Sequence, residues 1–138
     1  RLTRGEAKSD AATAAPLAPI SQEQLFAARD EVLDIHMNEN VEQYLIQLVM
    51  ATRKPGNYGE DMAQWIQYGA SPRASIALDR CARAHAWLNQ RDYVGPEDIQ
   101  AIAHDVLRHR IVVSYEAEAE GLSADMIIDE LLSRVPVA

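Results

Sequence analysis

Ser71-Pro72-Arg73 is the tripeptide in this 138-residue chain whose residue types and order could do chemistry. Serine followed by proline reads as a helix start, because a serine hydroxyl can cap the first turn and proline fits the first helical position. Backbone N–H groups at such a start lack intrahelical partners and the helix dipole is positive there, so the site prefers an anion. Arg73 falls at the second helical position, where a cation costs roughly 0.3–1 kcal/mol. A local rule broken in this way is expected where function demands it. A phosphate docked at the helix start would make the same guanidinium favourable, its planar donors matching the phosphate oxygens. The competing reading is an arginine extended into solvent without a role. Spacing alone leaves both open.

Other residues carry weaker signals. Arg73, Arg80 and Trp87 lie seven apart and share one helical face, with Arg83 and Arg91 near the same side. Such a face could meet an acidic partner with Trp87 as its anchor, or be a solvated, salt-bridged stripe. His36, His85, His104 and His109 show no metal-ligand spacing, and Cys81 has no nearby sulfur partner, so no metal is expected. Cys81 falls on an apolar stripe with Leu78 and Leu88 and reads as a packed core residue. Glu116, Glu118 and Glu120 alternate in a polar run expected to solvate a loop. The only lysines, Lys8 and Lys54, follow Ala7 and Arg53 and not glycine, so this chain cannot cradle a triphosphate by itself.

The elements that must position these residues follow from periodicity. Ser21 and Gln24 form a capping box before a stripe of Leu25, Ala28, Val32 and Ile35. Asn38 or Asn40 can cap a second helix carrying Val41, Tyr44, Leu45, Leu48 and Val49, which stops near Lys54-Pro55-Gly56. The third helix, from Ser71-Pro72, is expected to bury Ala74, Ala77, Leu78, Cys81 and Leu88. A fourth follows Gly95-Pro96 with Ile99, Ile102, Ala103, Val106 and Leu107. A fifth follows Ser123 with Ile128, Leu131, Leu132 and Val135 before Pro136. Ile111-Val112-Val113 is a short β-branched run, with Asp92-Tyr93-Val94 as its expected strand partner. The fold class is therefore all-α, a small bundle of about five helices with a minimal two-strand contact.

Composition bounds the rest. Apolar residues make up 48% and charged residues 25%, close to globular averages. No apolar run approaches the roughly 20 residues that span a bilayer. One cysteine cannot form an internal disulfide, so a stapled secreted scaffold is excluded and a reducing cytoplasm is the default expectation. A net charge of −8 argues against nucleic-acid coating. The acid surplus is uneven: residues 20–72 and 111–138 are each net −5, whereas 73–110 are net +1, a middle that an anion would prefer. Residues 1–20, rich in Ala, Ser, Thr, Pro and Asp, read as a linker or tail, leaving 21–138 as one helical domain. The chain opens on Arg1 and not Met, and is expected to be a piece of something longer.

Three blocks taken together resemble the C-terminal lid of MoxR-type AAA+ ATPases: Gly69-Ala70-Ser71-Pro72-Arg73-Ala74; Arg91-Asp92-Tyr93-Val94 with Pro96-Glu97-Asp98-Ile99; and Val106-Leu107-Arg108-His109-Arg110-Ile111. The ending, with Gly121, Ser123-Ala124-Asp125, Ile127-Ile128 and Val135-Pro136-Val137, is similar too. The resemblance covers residues 21–138. It departs from the family at Gly95, where a capping threonine is common, and at Asn89-Gln90, where a glycine is frequent.

The resemblance implies a division of labour. ATP and Mg²⁺ would sit on a core domain N-terminal to this chain. Arg73 matches the sensor 2 arginine, which reaches the γ-phosphate and acts in catalysis. Gly69, Ser71 and Pro72 would join Arg73 in facing the nucleotide by setting the turn. The fragment would be inactive alone. The parent would form a ring, expected to be hexameric, that remodels or assembles protein complexes, often with von Willebrand A-domain partners. The rival reading is a stand-alone helical interaction module presenting Arg80, Trp87 and Arg91 to an acidic protein.

Overall fold

The computed structural model describes residues 18–137. Of the expected linker, residues 1–17 lie outside the described residues, and residues 18–20 are exposed without regular structure. The described elements are α1 (Gln22–Leu33), α2 (Glu39–Arg53), a 3-10 turn (Pro55–Tyr58), α3 (Glu60–Trp65), β1 (Ile66–Tyr68), α4 (Arg73–Leu88), α5 (Pro96–Leu107), β2 (Val112–Val113), α6 (Tyr115–Ala119) and α7 (Ala124–Arg134). All five expected helices are present. The fold is an all-α bundle with one two-stranded ribbon.

Local chemistry explains the helix starts. The Ser21 hydroxyl accepts from the Gln24 N–H at 3.1 Å while the Gln24 side chain accepts from the Ser21 N–H at 2.8 Å, a complete capping box. Asn38 caps α2 through the Val41 N–H at 2.9 Å, and Ser123 caps α7 through the Met126 N–H at 3.2 Å. The core gathers Tyr44 and Leu48 of α2, Met62 of α3, Leu78 of α4, Ile99 and Leu107 of α5, and Ile127, Ile128 and Leu131 of α7.

Two short helices, α3 and α6, are additional to the five expected. Each spans too few residues to show a 3.6-residue period. The polar Glu116–Glu120 run, expected as a loop, forms most of α6: the Ser114 hydroxyl caps it through the Ala117 N–H, and Ala117 is buried.

The buried face of α4 keeps Ala74 and Leu78 as expected but differs from expectation beyond them. Ala74, Leu78, Ala82 and Ala86, each four residues apart, are fully buried, whereas Cys81 and Leu88 are exposed and Ala77 is half-buried. Small side chains at this spacing let α5 pack close against α4, and that close packing outweighs the larger residues' apolar character. α1 lies on the outer side of α4 and buries none of its own residues. Leu25 and Leu33 stay exposed, and an apolar groove lined by Leu25, Ala28, Val32, Ala84, Trp87 and Leu88 runs between the two helices.

The strand pairing also differs. Val112–Val113 pairs antiparallel with Ile66–Tyr68 and not with Asp92-Tyr93-Val94. Tyr93 instead bridges to His36 in a parallel contact, with the His36 N–H donating to the Asp92 carbonyl at 2.9 Å. The ribbon is extended by the Ser114 N–H, which donates to the Trp65 carbonyl at 2.8 Å.

At the far end of α4, the Gln90 N–H donates to the Trp87 carbonyl at 2.9 Å and the Arg91 N–H to the Ala86 carbonyl at 3.0 Å. This is a Schellman closure, and it puts Gln90 at φ +61. The site where the resembled family favours glycine is thus a left-handed position. Gln90→Gly is expected to stabilise the domain by up to about 1 kcal/mol, the left-handed strain relieved less the added freedom of the unfolded chain. Thermal melting checks this, and a lower midpoint would contradict it.

Candidate functional site

The segment that carries Arg73 leaves β1 at Tyr68 and must pass beside the C-terminal turn of α2. A Cβ at Gly69 would overlap the Thr52 carbonyl and lie 2.7 Å from the Arg53 nitrogen, so only glycine passes here without displacing backbone. Ala70, fully buried, is held from both sides. Its N–H donates to the Thr52 hydroxyl at 3.0 Å, and its carbonyl accepts from Arg53 Nη1 at 3.2 Å. Thr52 is itself fully buried, and its hydroxyl donates onward to the Val49 carbonyl at 2.6 Å. The hold of Thr52 and Arg53 on this turn is a feature that the sequence did not disclose. The bonds join positions 17 and 18 residues apart and leave no local pattern.

The helix start differs in detail from expectation. Pro72 already has helical dihedrals, φ −57 and ψ −22, so by backbone conformation it is the first helical residue and Arg73 the second, as expected, although the hydrogen-bonded range of α4 is counted from Arg73. Ser71 is exposed and makes no capping bond. Its carbonyl instead accepts from the Ala74 N–H at 2.9 Å, and the Pro72 carbonyl accepts from the Ser75 N–H at 3.0 Å. The backbone donors expected to meet an anion are therefore largely spent within the turn. The capacity to bind one falls to the Arg73 guanidinium.

Arg73 is exposed, and no acid stands in the first turn of α4. Among the described residues it makes no hydrogen bond or ion pair, and Arg80 two turns along is likewise unpartnered. Other arginines are engaged. Arg83 pairs with Asp79 and also donates to the Ile35 carbonyl; Arg108 pairs with Asp105 and Asp125. Arg134 pairs with Asp61 and Glu130 and lies over the Trp65 ring. The hydrogen bond from Arg134 lowers the Asp61 carboxyl to about 2.

The structure thus keeps Arg73 and Arg80 on one open face but takes the rest of the expected stripe away. Trp87 is half-buried, its indole N–H donating to Glu31 at 2.9 Å. Arg91 lies beyond the end of α4 and turns back to Asp98, with Nη1 at 2.7 Å and Nη2 at 2.5 Å. Asp98 is fully buried and also accepts from the Gly95 N–H at 2.8 Å, the half of a capping box that does not need a side chain on Gly95. Among the described residues, no group of three or more His, Cys, Asp and Glu could hold a metal ion, and no helix is long and apolar enough to cross a membrane.

Comparisons with known proteins bear on this turn and its surroundings. The family model of the AAA lid domain matches residues 60–131, a span that contains Gly69 to Arg73. The chaperone MoxR1 of Mycobacterium tuberculosis is 43% identical over 93 residues, covering 67% of this chain and 25% of that protein. The protein MoxR of Paracoccus denitrificans is 37% identical over 109 residues, covering 74% of this chain and 32% of that protein. A crystal structure of a protein from Cytophaga hutchinsonii, assigned as an ATPase, superposes with a TM-score of 0.76 at 50% identity, over 79% of this chain and 33% of that one. The chain spans between a quarter and about a third of the length of the curated relatives it matches. It belongs to the AAA lid domain family, as the lid of a MoxR-type AAA+ protein.

Proposed function

We propose that this lid supplies the sensor 2 arginine, Arg73, to ATP held with Mg²⁺ on a core domain of the same protein. The reading is carried by one observation: an exposed guanidinium without a partner among the described residues at the start of α4, on a turn fixed by Gly69, Ala70 and Thr52. The fit to nucleotide is one-sided. The turn offers a cation suited to phosphate oxygens, while a phosphate-cradling loop has to come from elsewhere.

Bound ATP·Mg²⁺ would provide the phosphoryl group to be transferred and the metal that draws charge from it. Arg73 would orient on the γ-phosphate and neutralise charge there, and Gly69, Ser71 and Pro72 would hold the helix start toward it. Ion pairs of this class near a protein surface interact by about 4 kcal/mol, enough to bias a two-state lid. Lid orientation would thereby report whether the γ-phosphate is present.

The relatives' names, chaperone and ATPase, support placing this lid in a machine that remodels or assembles protein complexes. We further propose a cytoplasmic ring, hexameric, whose lids contact neighbouring subunits, with von Willebrand A-domain proteins as partners. A stand-alone module that recognises acidic proteins is disfavoured, because Arg91 and Trp87 are turned to internal partners and leave Arg80 alone.

The isolated chain is expected to release no phosphate from ATP above background and to bind ATP weakly. Phosphate-release assays and calorimetric titration test this. Turnover or tight binding by the lid alone would overturn the division of labour.

A further inference from the structure

We infer that Thr52 and Arg53, at the C-terminal turn of α2, are positioning residues for Arg73, so that the end of α2 sets how the lid distinguishes ATP from ADP. The inference rests on the sensor 2 reading of Arg73 and adds the device that aims it.

A long, exposed side chain is useful against a phosphate only if its Cα is fixed, because an arginine has little else to define its reach. The turn before Arg73 has no side-chain cap, since Ser71 points no hydroxyl at the helix. Its fixity comes from α2 instead. The Thr52 hydroxyl serves two bonds at once, accepting from Ala70 N–H at 3.0 Å and donating to the Val49 carbonyl at 2.6 Å. That ties Ala70, three residues before Arg73, to the last turn of a helix whose inner face is core. Arg53 grips the other side of the same peptide residue through its carbonyl, at 3.2 Å. Gly69 completes the clamp by letting the two backbones touch.

A buried hydroxyl whose acceptor and donor capacities are both used is costly to replace by an apolar isostere, which would leave the Ala70 N–H without a partner. The result would be a turn free to shift. A misplacement of about 1 Å in a catalytic arrangement can cost on the order of 100-fold in rate.

The test uses the full-length protein. Thr52→Val keeps the shape and removes the hydroxyl, and Thr52→Ser restores it. Thr52→Val is expected to lower ATP turnover by roughly 10- to 100-fold. It should also weaken binding of a non-hydrolysable ATP analogue while ADP affinity stays unchanged, and Thr52→Ser should return both toward the parent. A merely structural role would lower both affinities together. Should Thr52→Val fail to fold, Arg53→Met decides, since that side chain is exposed: a reduced preference for the ATP analogue over ADP supports the clamp. An unchanged preference overturns it. Arg73→Ala is measured alongside. If Arg73→Ala lowers turnover and the ATP preference but the clamp variants do not, the clamp is wrong and the sensor reading stands. If Arg73→Ala changes neither, the sensor reading falls, and the clamp with it.

Discussion

Replacing Arg73 by alanine in the full-length protein is expected to lower steady-state ATP hydrolysis by on the order of 100-fold, the scale on which removing one preorganised charge or donor acts. The same change should leave the fold intact or slightly stabilised. Arg73 touches no partner among the described residues, and as the first residue of α4 it sits where the helix dipole disfavours a cation by roughly 0.3–1 kcal/mol. Loss of activity with a melting temperature that holds or rises is the signature of a residue kept against its own local energetics. Arg73→Lys retains the charge but not the planar fork, and should fall between the two. Turnover and melting measured on the same preparations check the pair of effects. Unchanged turnover in Arg73→Ala would remove the sensor role.

That residue stood out in the sequence as a candidate because it breaks a rule that needs only two neighbours to state. A cation beside Ser71-Pro72 conflicts with the dipole whatever the rest of the chain does. The long helices were legible for a similar reason: α2, α5 and α7 repeat apolar residues over three turns, and Ser21, Asn38 and Ser123 announce the starts of α1, α2 and α7. What depends on distant partners was not. Thr52 looks like an ordinary helix C-terminal threonine until the strand after α3 brings Ala70 against it. The pairing of Val113 with Ile66 joins residues separated by two long helices, and Asp92-Tyr93-Val94 was nearer in sequence and equally extended. The inner face of α4 was legible only in part: Ala74 and Leu78 are buried as expected, but Ala82 and Ala86 carry little hydrophobic signal, while Cys81 and Leu88 carry more and face out. Gln90 hid a left-handed turn under a residue that seldom marks one.

Asp98→Ala is expected to damage the fold as much as truncating a core residue, lowering stability by about 3 kcal/mol and the melting temperature by roughly 10 °C. The carboxylate is completely buried, yet it is the acceptor for Arg91 through both guanidinium nitrogens, for the Gly95 N–H that starts α5, and lies 2.7 Å from His85 Nδ1 of α4. One side chain therefore caps α5, fixes the segment after α4 and ties the two central helices together. Burial alone would push this carboxyl up, but the bonds from Arg91, His85 and Gly95 outweigh it and hold it below the usual carboxylate range. A folded-state value below the unfolded one, about 3.9, means the contribution is fully present above that pH. It is lost as pH falls through the folded value. The gap in stability between the parent and Asp98→Ala should accordingly be constant from neutral pH down to about 4 and close below it. Asp98→Asn, which keeps the shape and the cap acceptor, should cost less than alanine. A gap that persists undiminished into strong acid would assign the effect to the lost side-chain volume and not to the charge. Because this network lies at the opposite end of α4 from Arg73, variants at Asp98 should retain the preference for ATP over ADP at temperatures where they remain folded. Stability and nucleotide sensing would then be separable along a single helix, the first anchored by Asp98 and the second by the turn at Gly69 and Ala70.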